Sequence, residues 1–315
     1  MNAPAPLKTA AFCIGMSVPF RGLSRRQGIL LRGAAGWGEF SPFPDHQPEI
    51  VRRWLHAARE AAFESWPRPR RRAIPVNVTV PAVSASRAHA IVSRSHCTTA
   101  KVKVASGDDE ERVAAVRDAL GPHGRLRVDA NAAWDVERAR RSIKRLSHFD
   151  LEYVEQPVAT VEEMARLRKV VDVPIAADES IRTAEDPLSV KLAGAADIVV
   201  LKVHPLGGVK ACLQIAEGCG LPVVVSSALE TSVGLAAGVA LAAALPELPY
   251  ACGLATQDML EGDVVREPLV ARRGRIEVRR PSVDSAALRE HLVEPSRQDA
   301  DLERLARLAI HPSVP

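Results

Sequence analysis

The chain has 315 residues, 47% of them apolar, with 42 Lys and Arg against 38 Asp and Glu and a net charge of +4. That is enough chain for one large domain, or for a barrel with a smaller module, and the apolar content is ordinary for a globular protein. The basic excess is scattered rather than striped with aromatics, which argues against a nucleic-acid partner. The five cysteines form no CxxC pair, which argues for a reducing, cytoplasmic compartment without a disulfide framework.

Ala10 to Phe20 is apolar, but Gly15 and Pro19 break it and only Lys8 precedes it as a cation, so it reads as a strand and not as a secretory signal. Residues 8–45 predict a meander: a strand to Ser17, a loop Val18–Arg26, a strand Gly28–Arg32 and a strand Trp37–Phe40. The loop, with Phe20, Arg21, Arg25 and Arg26, either reaches over a neighbouring site or is simply solvated, and the sequence leaves both open. Pro48 to Glu64 carries apolar residues at helical spacing (Ile50, Trp54, Leu55, Ala58, Ala62) and predicts a helix. Pro67–Arg72 reads as a linker. Residues 1–72 therefore predict an α+β capping domain.

From Ile74 strands and helices alternate. Strands are predicted at 75–80, 99–104, 126–130, 151–155, 174–178, 197–202, 222–226 and 250–254, and helices at 108–120, 135–146, 160–170, 184–193, 208–218 and 232–244. Thr160-Val-Glu-Glu163 is a capping-box start and Gly121-Pro122 a stop. The strands are continuous apolar runs, as parallel strands covered on both faces require. The segments lack the self-similarity of a solenoid, so residues 73–263 predict a TIM-like (β/α) barrel, with one repeat unit uncertain near 74–98. Gly234–Leu245 is too short an apolar run to span a bilayer, and no membrane association is expected. After Asp263 a hairpin around Arg273-Gly274 and helices over Asp284–Leu292 and Asp301–Ile310 are expected, with residues 264–315 packing back on the capping domain.

The barrel strands end in charged residues: Lys103, Asp129, Glu155, Asp178 and Lys202, at separations of about 26, 26, 23 and 24 residues. One strand plus one return helix per step puts these ends at one rim. Three carboxylates gathered in a cavity repel and need a cation, and an oxygen-only set suits Mg²⁺, with Mn²⁺ as the substitute. Lys101 and Lys103, two apart on a strand, leave it on the same face. Like charge and a divalent ion both disfavour the protonated amine, so the lysine pKa should move down towards that of a general base. A metal flanked by lysines suits removal of a proton alpha to a carboxylate; the combination is a known pattern. Arg127 shares parity with Asp129 and should point inward, where it needs an anion, so it is expected to bind a substrate carboxylate. Ser226, Ser227 and Glu230 follow the seventh strand and either line the substrate site, with Gly253 beside them, or cap the next helix.

Lys101-Val-Lys103, Asp129-Ala-Asn131, Val154-Glu155-Gln-Pro157, Ala177-Asp178-Glu179-Ser180 and Leu201-Lys202 together resemble the enolase superfamily in its muconate-lactonizing branch. Gly36-Trp-Gly-Glu-Phe-Ser-Pro-Phe43 and Ser226-Ser-Ala-Leu-Glu-Thr-Ser-Val-Gly234 extend the likeness, which is greatest to the o-succinylbenzoate synthase family. The resemblance implies Asp129, Glu155 and Asp178 as metal ligands, Lys103 as acid/base and Lys202 as the lysine of the opposite face. It also implies Asn131 and Glu179 as partners of the ligands; strand parity turns Glu179 away from the metal. Lys101 is expected at the substrate. The implied reaction is a lyase reaction of menaquinone biosynthesis, the dehydration of a hydroxy-succinyl-cyclohexadiene carboxylate, a small-molecule carboxylate, to o-succinylbenzoate. The competing expectations are a racemase of N-succinyl amino acids or a dipeptide epimerase using both lysines, and a non-catalytic cation-binding barrel. Residues 252–257 lack the Asp-x-Asp expected of the epimerase. Whether the chain is a monomer or a homo-oligomer is not legible.

Overall fold

The computed structural model describes residues 8–20, 22–182 and 187–293. The helix expected at 301–310, and the start of that expected at 184–193, lie outside the described residues.

Three antiparallel strands, β1 (Lys8–Phe20), β2 (Leu23–Gly33) and β3 (Gly36–Phe40), form a sheet in chain order, covered by helix α1 (Pro48–Phe63). The expected loop over 18–26 is a correction: β1 runs on to Phe20 and β2 resumes at Leu23, so most of it is hairpin strand, with a register shift between Gly15 and Phe20. The sequence left open whether its arginines reach over a site or are solvated; Arg25 is exposed, while Arg26 turns inward. Arg26 is buried, its Nε donating to the Leu229 carbonyl at 3.0 Å and its Nη2 to that of Ser41 at 2.6 Å. Gly38 lets the sheet and helix close: a Cβ there would stand 1.9 Å from the carbonyl oxygen of Ala58.

The barrel strands are β4 (Ala73–Val80), β5 (Thr99–Lys103), β6 (Arg125–Asp129), β7 (Leu151–Glu155), β8 (Ile175–Ala177), β9 (Ile198–Leu201), β10 (Val223–Val225) and β11 (Cys252–Ala255). All pair in parallel in sequence order, β11 pairs with β4, and a Ser226–Gly253 bridge joins β10 to β11, which closes the barrel. The return helices are α2 (Ala85–Ser95), α3 (Asp109–Leu120), α4 (Val136–Leu146), α5 (Val161–Arg168), the short pair α6 (Glu179–Arg182) and α7 (Ser189–Leu192), the pair α8 (Val203–Leu206) and α9 (Val209–Cys219), and α10 (Ser232–Ala244). The unit left uncertain near 74–98 is thus β4–α2–β5, and the Thr160 capping box is present at α5. No helix among the described residues is long and apolar enough to cross a membrane.

The tail differs from expectation in one respect. Rather than leaving the barrel at once, β12 (Arg275–Glu277) pairs antiparallel with Ala73–Pro75, the part of β4 that extends below the barrel with a free edge. Helix α11 (Ser285–His291) then returns to the capping sheet, where Val293 N donates to the Ala11 carbonyl at 3.1 Å.

One apolar core lies between strands and helices of the barrel, and a second joins the capping sheet and α1 to the barrel's upper loops through Leu229, Met259 and Leu260. Trp54 of α1 is fully buried there, a side chain whose truncation to Ala costs ~3–5 kcal/mol. Two carboxylates of the capping region also serve as N-caps for barrel helices. Glu60 of α1 accepts from Val209 N at 2.9 Å at the start of α9, and Glu39 of β3 accepts from Thr231 N and Gly234 N at the start of α10. Each satisfies orphan helical N–H groups that no local side chain reaches.

Candidate active site

Register places the charged strand ends side by side. Lys103 is level with Asp129, Asp129 with Glu155, and Glu155 with Ala176, so Asp178, the first residue past the end of β8, stands two residues beyond that level. With β5 and β9 four strands apart in a closed ring of eight, Lys103 and Lys202 face each other across the barrel. Lys101 Nζ donates to both Glu155 oxygens at 2.6 and 2.8 Å and lies 3.2 Å from Asp129 Oδ2. Lys103 Nζ donates to Asp129 Oδ2 and to Asn131 Oδ1, both at 2.6 Å. On the far side Lys202 Nζ donates to Asp178 Oδ2 at 2.5 Å. Asp129, Glu155 and Asp178 are essentially inaccessible.

Electrostatics follow from this packing. Burial pushes the Glu155 carboxyl up to about 7, helped by the Asp129 and Asp178 charges and opposed by Lys101 and Lys202. Burial also acts on Asp178, but Lys202 and Arg182 outweigh it and hold that carboxyl down at about 2. Asp129 is likewise held well below the ordinary range by Lys103 and Lys101. The downward movement expected of the lysines is corrected at Lys101. Burial favours its neutral amine, yet the Glu155 and Asp129 charges raise it well above its ordinary value.

A cavity above the carboxylates is lined by Lys101, Lys103, Asn131, Glu179, Lys202, Ser226, Ser227 and Gly253, with Phe43 and His46 from the loop after β3. Two expected substrate contacts are corrected. Arg127 is fully buried on the barrel floor; it does meet an anion, but the anion is Glu152, 2.5 Å from its Nε. Asn77 Oδ1 and the Ala251 carbonyl take its Nη1, and the Tyr153 ring lies 4.7 Å from the guanidinium carbon. Glu230 is buried outside the cavity lining, and its carboxylate accepts from Ser227 Oγ at 2.7 Å and Ala228 N at 2.9 Å, holding the loop from within. Glu179 lies in the cavity wall because β8 ends at Ala177 and α6 starts at Glu179, so strand parity does not apply there. Its Oε1 accepts from Asn131 Nδ2 at 3.3 Å and from Arg182 Nη2 at 2.7 Å.

Sequence reasoning missed Arg182 and Gln156. Arg182 sits one helical turn beyond Asp178-Glu179, a spacing that would reveal it once the strand end is known. Gln156 Oε1 accepts from Asp178 N at 3.0 Å and Ser180 N at 3.1 Å, stapling the end of β7 to that of β8.

Residues 84–282 match the enolase C-terminal domain-like family and residues 11–62 the enolase N-terminal domain-like family. The chain belongs to the enolase superfamily. Curated relatives include the o-succinylbenzoate synthase of Thermobifida fusca, 60% identical over 93% of this chain and 94% of that protein. That of Mycobacterium tuberculosis is 49% identical over 92% and 90%. Among solved structures, the muconate lactonizing enzyme from Pseudomonas fluorescens complexed with muconolactone superposes with a TM-score of 0.79 at 22% identity, covering 91% of this chain and 98% of that one. The N-succinyl Arg/Lys racemase from Bacillus cereus has a TM-score of 0.74 at 18% identity, covering 92% and 98%. These two likenesses concern the fold.

Members of the enolase superfamily bind a divalent metal. Among the described residues, no three carboxylate, imidazole or thiol groups stand as a closed ligand set, since ammonium groups lie against the carboxylates. The donors nevertheless fit a hard ion. All are oxygens, all three carboxylates are buried, and Asp178 Oδ1 makes no hydrogen bond, with only the Arg182 Nε ion pair at 3.4 Å beside it. A buried carboxylate oxygen left in that state is poorly compensated.

Proposed function

We infer that this enolase-superfamily chain is an o-succinylbenzoate synthase, a hydro-lyase that eliminates water from 2-succinyl-6-hydroxy-2,4-cyclohexadiene-1-carboxylate. One geometric observation carries the site assignment: two lysines on opposed strands face one cavity with a buried acidic cluster between them. The same reading takes residues 1–72 with 264–315 as the capping unit and 73–263 as the catalytic barrel. Asp129, Glu155 and Asp178 would hold the divalent ion, Mg²⁺ in preference to Mn²⁺. When bound, the ion offsets the second negative charge that develops on the ring carboxylate as its alpha proton leaves.

The chain's own residues supply the proton chemistry. Lys103, in its neutral form, takes the alpha proton, and its hydrogen bonds to Asp129 and Asn131 fix where Nζ stands. The ammonium so formed returns that proton to the departing hydroxyl on the same face, so the proton taken leaves in the water released and the amine is regenerated. Lys202 remains a cation on the other face, against the delocalised charge of the ring. Ser226 and Ser227 offer hydroxyl groups to substrate oxygens, while Phe43, Leu229 and Met259 supply apolar walls for the ring.

The test follows loss of the cyclohexadiene chromophore with and without Mg²⁺, with N-succinyl amino acids run in parallel for racemisation. Mg²⁺-dependent turnover of the diene is expected. No turnover in saturating Mg²⁺ overturns the assignment, and racemisation that outpaces dehydration replaces it with the racemase.

A further inference from the structure

The cavity wall around Lys202 is made by two loops. The segment after β9 supplies Lys202 and Pro205, and the segment after β10 supplies Ser226, Ser227, Ala228 and Leu229. Neither is held by its own strand alone. Leu229 has a left-handed backbone (φ +62°) that a branched side chain rarely adopts. Ser227 Oγ, which accepts from Leu229 N at 2.8 Å, maintains that turn locally, and Glu230 in turn holds Ser227 and Ala228.

The remaining oxygen of Glu230 leads out of the loop. Glu230 Oε1 lies 3.0 Å from Nδ1 of His204, which sits two residues beyond Lys202, and both side chains are almost wholly buried. The His204 ring stacks on Trp54 of α1, centroids 4.8 Å apart and planes 29° from parallel. On either side of that contact α1 grips the same segment: His56 Nδ1 is 2.6 Å from the Gly207 carbonyl oxygen, and Glu60 caps α9. A single imidazole thus has the capping helix behind it, the Lys202 segment as its backbone and the Ser227 loop in front.

We propose that His204 is a positioning residue for the dehydration: through Glu230 it sets how the Ser227–Leu229 loop of the substrate cavity stands relative to the Lys202 segment. The proposal rests on the o-succinylbenzoate synthase reading. His204 touches neither substrate nor metal ligand. The β9–β10 ladder ends where Ser226 N donates to the Leu201 carbonyl at 2.9 Å; the effect of His204 is to register the two loops beyond that last rung, and to tie that register to the capping helix. Catalysis is sensitive to such registration, because displacement of about 1 Å at a reacting pair costs on the order of 100-fold. Sequence alone gives no sign of it, since a histidine two residues after a strand end reads as an ordinary loop residue.

Three substitutions separate positioning from general support. His204→Leu keeps the bulk against Trp54 and removes the bond to Glu230. His204→Asn restores a donor near the place of Nδ1. Glu230→Gln keeps an oxygen for Ser227 and Ala228 and offers His204 an amide, to which the neutral ring can adapt by changing tautomer. Val116→Ala, in the buried face of α3 away from the cavity, matches the loss of stability without touching the wall. With the Mg²⁺-loaded enzyme and the cyclohexadiene substrate, His204→Leu should lose about 100-fold in kcat/KM, with KM raised as well as kcat lowered. His204→Asn and Glu230→Gln should stay within about tenfold of wild type, and Val116→Ala should lower Tm with kcat/KM unchanged.

A His204→Leu enzyme within threefold of wild type overturns the proposal, as does a loss that His204→Asn fails to reduce. If His204→Leu does not fold, Glu230→Gln still decides: a 100-fold loss there means that charge rather than placement is what the pair supplies. Wild-type enzyme inactive on the diene refutes the underlying assignment instead, and is seen before any variant is compared.

Discussion

Lys103→Ala is the most direct test of the proton chemistry. The side chain removed is partly exposed to the cavity and makes two 2.6 Å hydrogen bonds, to Asp129 Oδ2 and Asn131 Oδ1. A positioned acid/base group contributes on the order of 10²–10⁴ in rate. Here one amine both takes the proton and returns it, and the methyl group left behind can do neither. The upper figure is therefore expected: a fall in kcat of about 10⁴, equal to ~5 kcal/mol of barrier at ~1.4 kcal/mol per decade. Ion binding should move the other way, because one cation beside Asp129 has gone and Lys101 still reaches Glu155. Steady-state turnover paired with calorimetric titration of Mg²⁺ separates the two effects. A kcat within tenfold of wild type, with normal Mg²⁺ binding, would refute the assignment of Lys103. Loss of Mg²⁺ binding along with turnover would instead show Lys103 to be part of the ion site's frame.

Arg127→Leu leaves Glu152 without its 2.5 Å partner in the barrel floor, so a loss of ~3–5 kcal/mol in denaturant unfolding is expected with KM for substrate unchanged. A tenfold rise in KM at unaltered stability would restore the substrate role first expected of it. Gly253→Ala places a Cβ 2.6 Å from Ser226 Oγ in the cavity wall; overpacking of this kind costs ~1–3 kcal/mol of stability, so Tm should fall. kcat/KM should fall with it because the Ser226 side chain must move, whereas unchanged values of both would contradict the close approach. The Glu230 carboxyl lies down at about 2, with burial opposed and outweighed by the hydrogen bond and charge of His204, against an ordinary 4.5. A depressed carboxyl contributes stability that is present above its unfolded pKa and is lost as pH falls through the folded one. About 3 kcal/mol should thus disappear between pH 4.5 and 2. Acid unfolding of Glu230→Gln should lack that segment of the slope, and an identical acid limb would contradict it.

The barrel was legible because its physics is local. Parallel strands buried on both faces must be apolar throughout, so Ile198–Leu201 or Val223–Val225 announce themselves, and the interval between them leaves room for one return helix. Their parity then placed Lys101 and Lys103 together. What failed was whatever depended on a neighbour remote in sequence. Arg127 was correctly turned inward, but nothing in Leu126-Arg-Val-Asp129 says that Glu152, 25 residues on, stands beside it in the next strand. Glu179 was assigned by strand parity two residues after the strand had ended. Whether Arg26 was solvated or reached a neighbouring site stayed open in the sequence because one of its acceptors, the Leu229 carbonyl, lies 203 residues away. For the same reason Glu39 and Glu60 gave no sign of capping helices in the barrel.

Charge balance across the cavity bears on what the site can accept. Among the described residues the cluster holds the cations Lys101, Lys103, Arg182 and Lys202 and the carboxylates Asp129, Glu155, Asp178 and Glu179, all joined by ion pairs. With Lys103 protonated, cations and carboxylates are equal in number and the protein alone presents a nearly neutral interior; a divalent ion would then leave two positive charges uncompensated in a buried space, or one once Lys103 has given up the proton that its role as base requires. Such an excess is costly unless an anion of matching charge enters with it. The cyclohexadiene substrate carries two carboxylates, one on the ring where the proton is lost and one on the succinyl arm. Binding the dianion cancels the excess of two that stands while Lys103 is protonated, whereas a monocarboxylate of the same size leaves one positive charge; with Lys103 neutral the dianion leaves one negative charge, which favours the amine's taking up a proton. The acidic cluster and the lysines thus act together: the carboxylates make room for the ion, and the lysines set the charge that the substrate must bring.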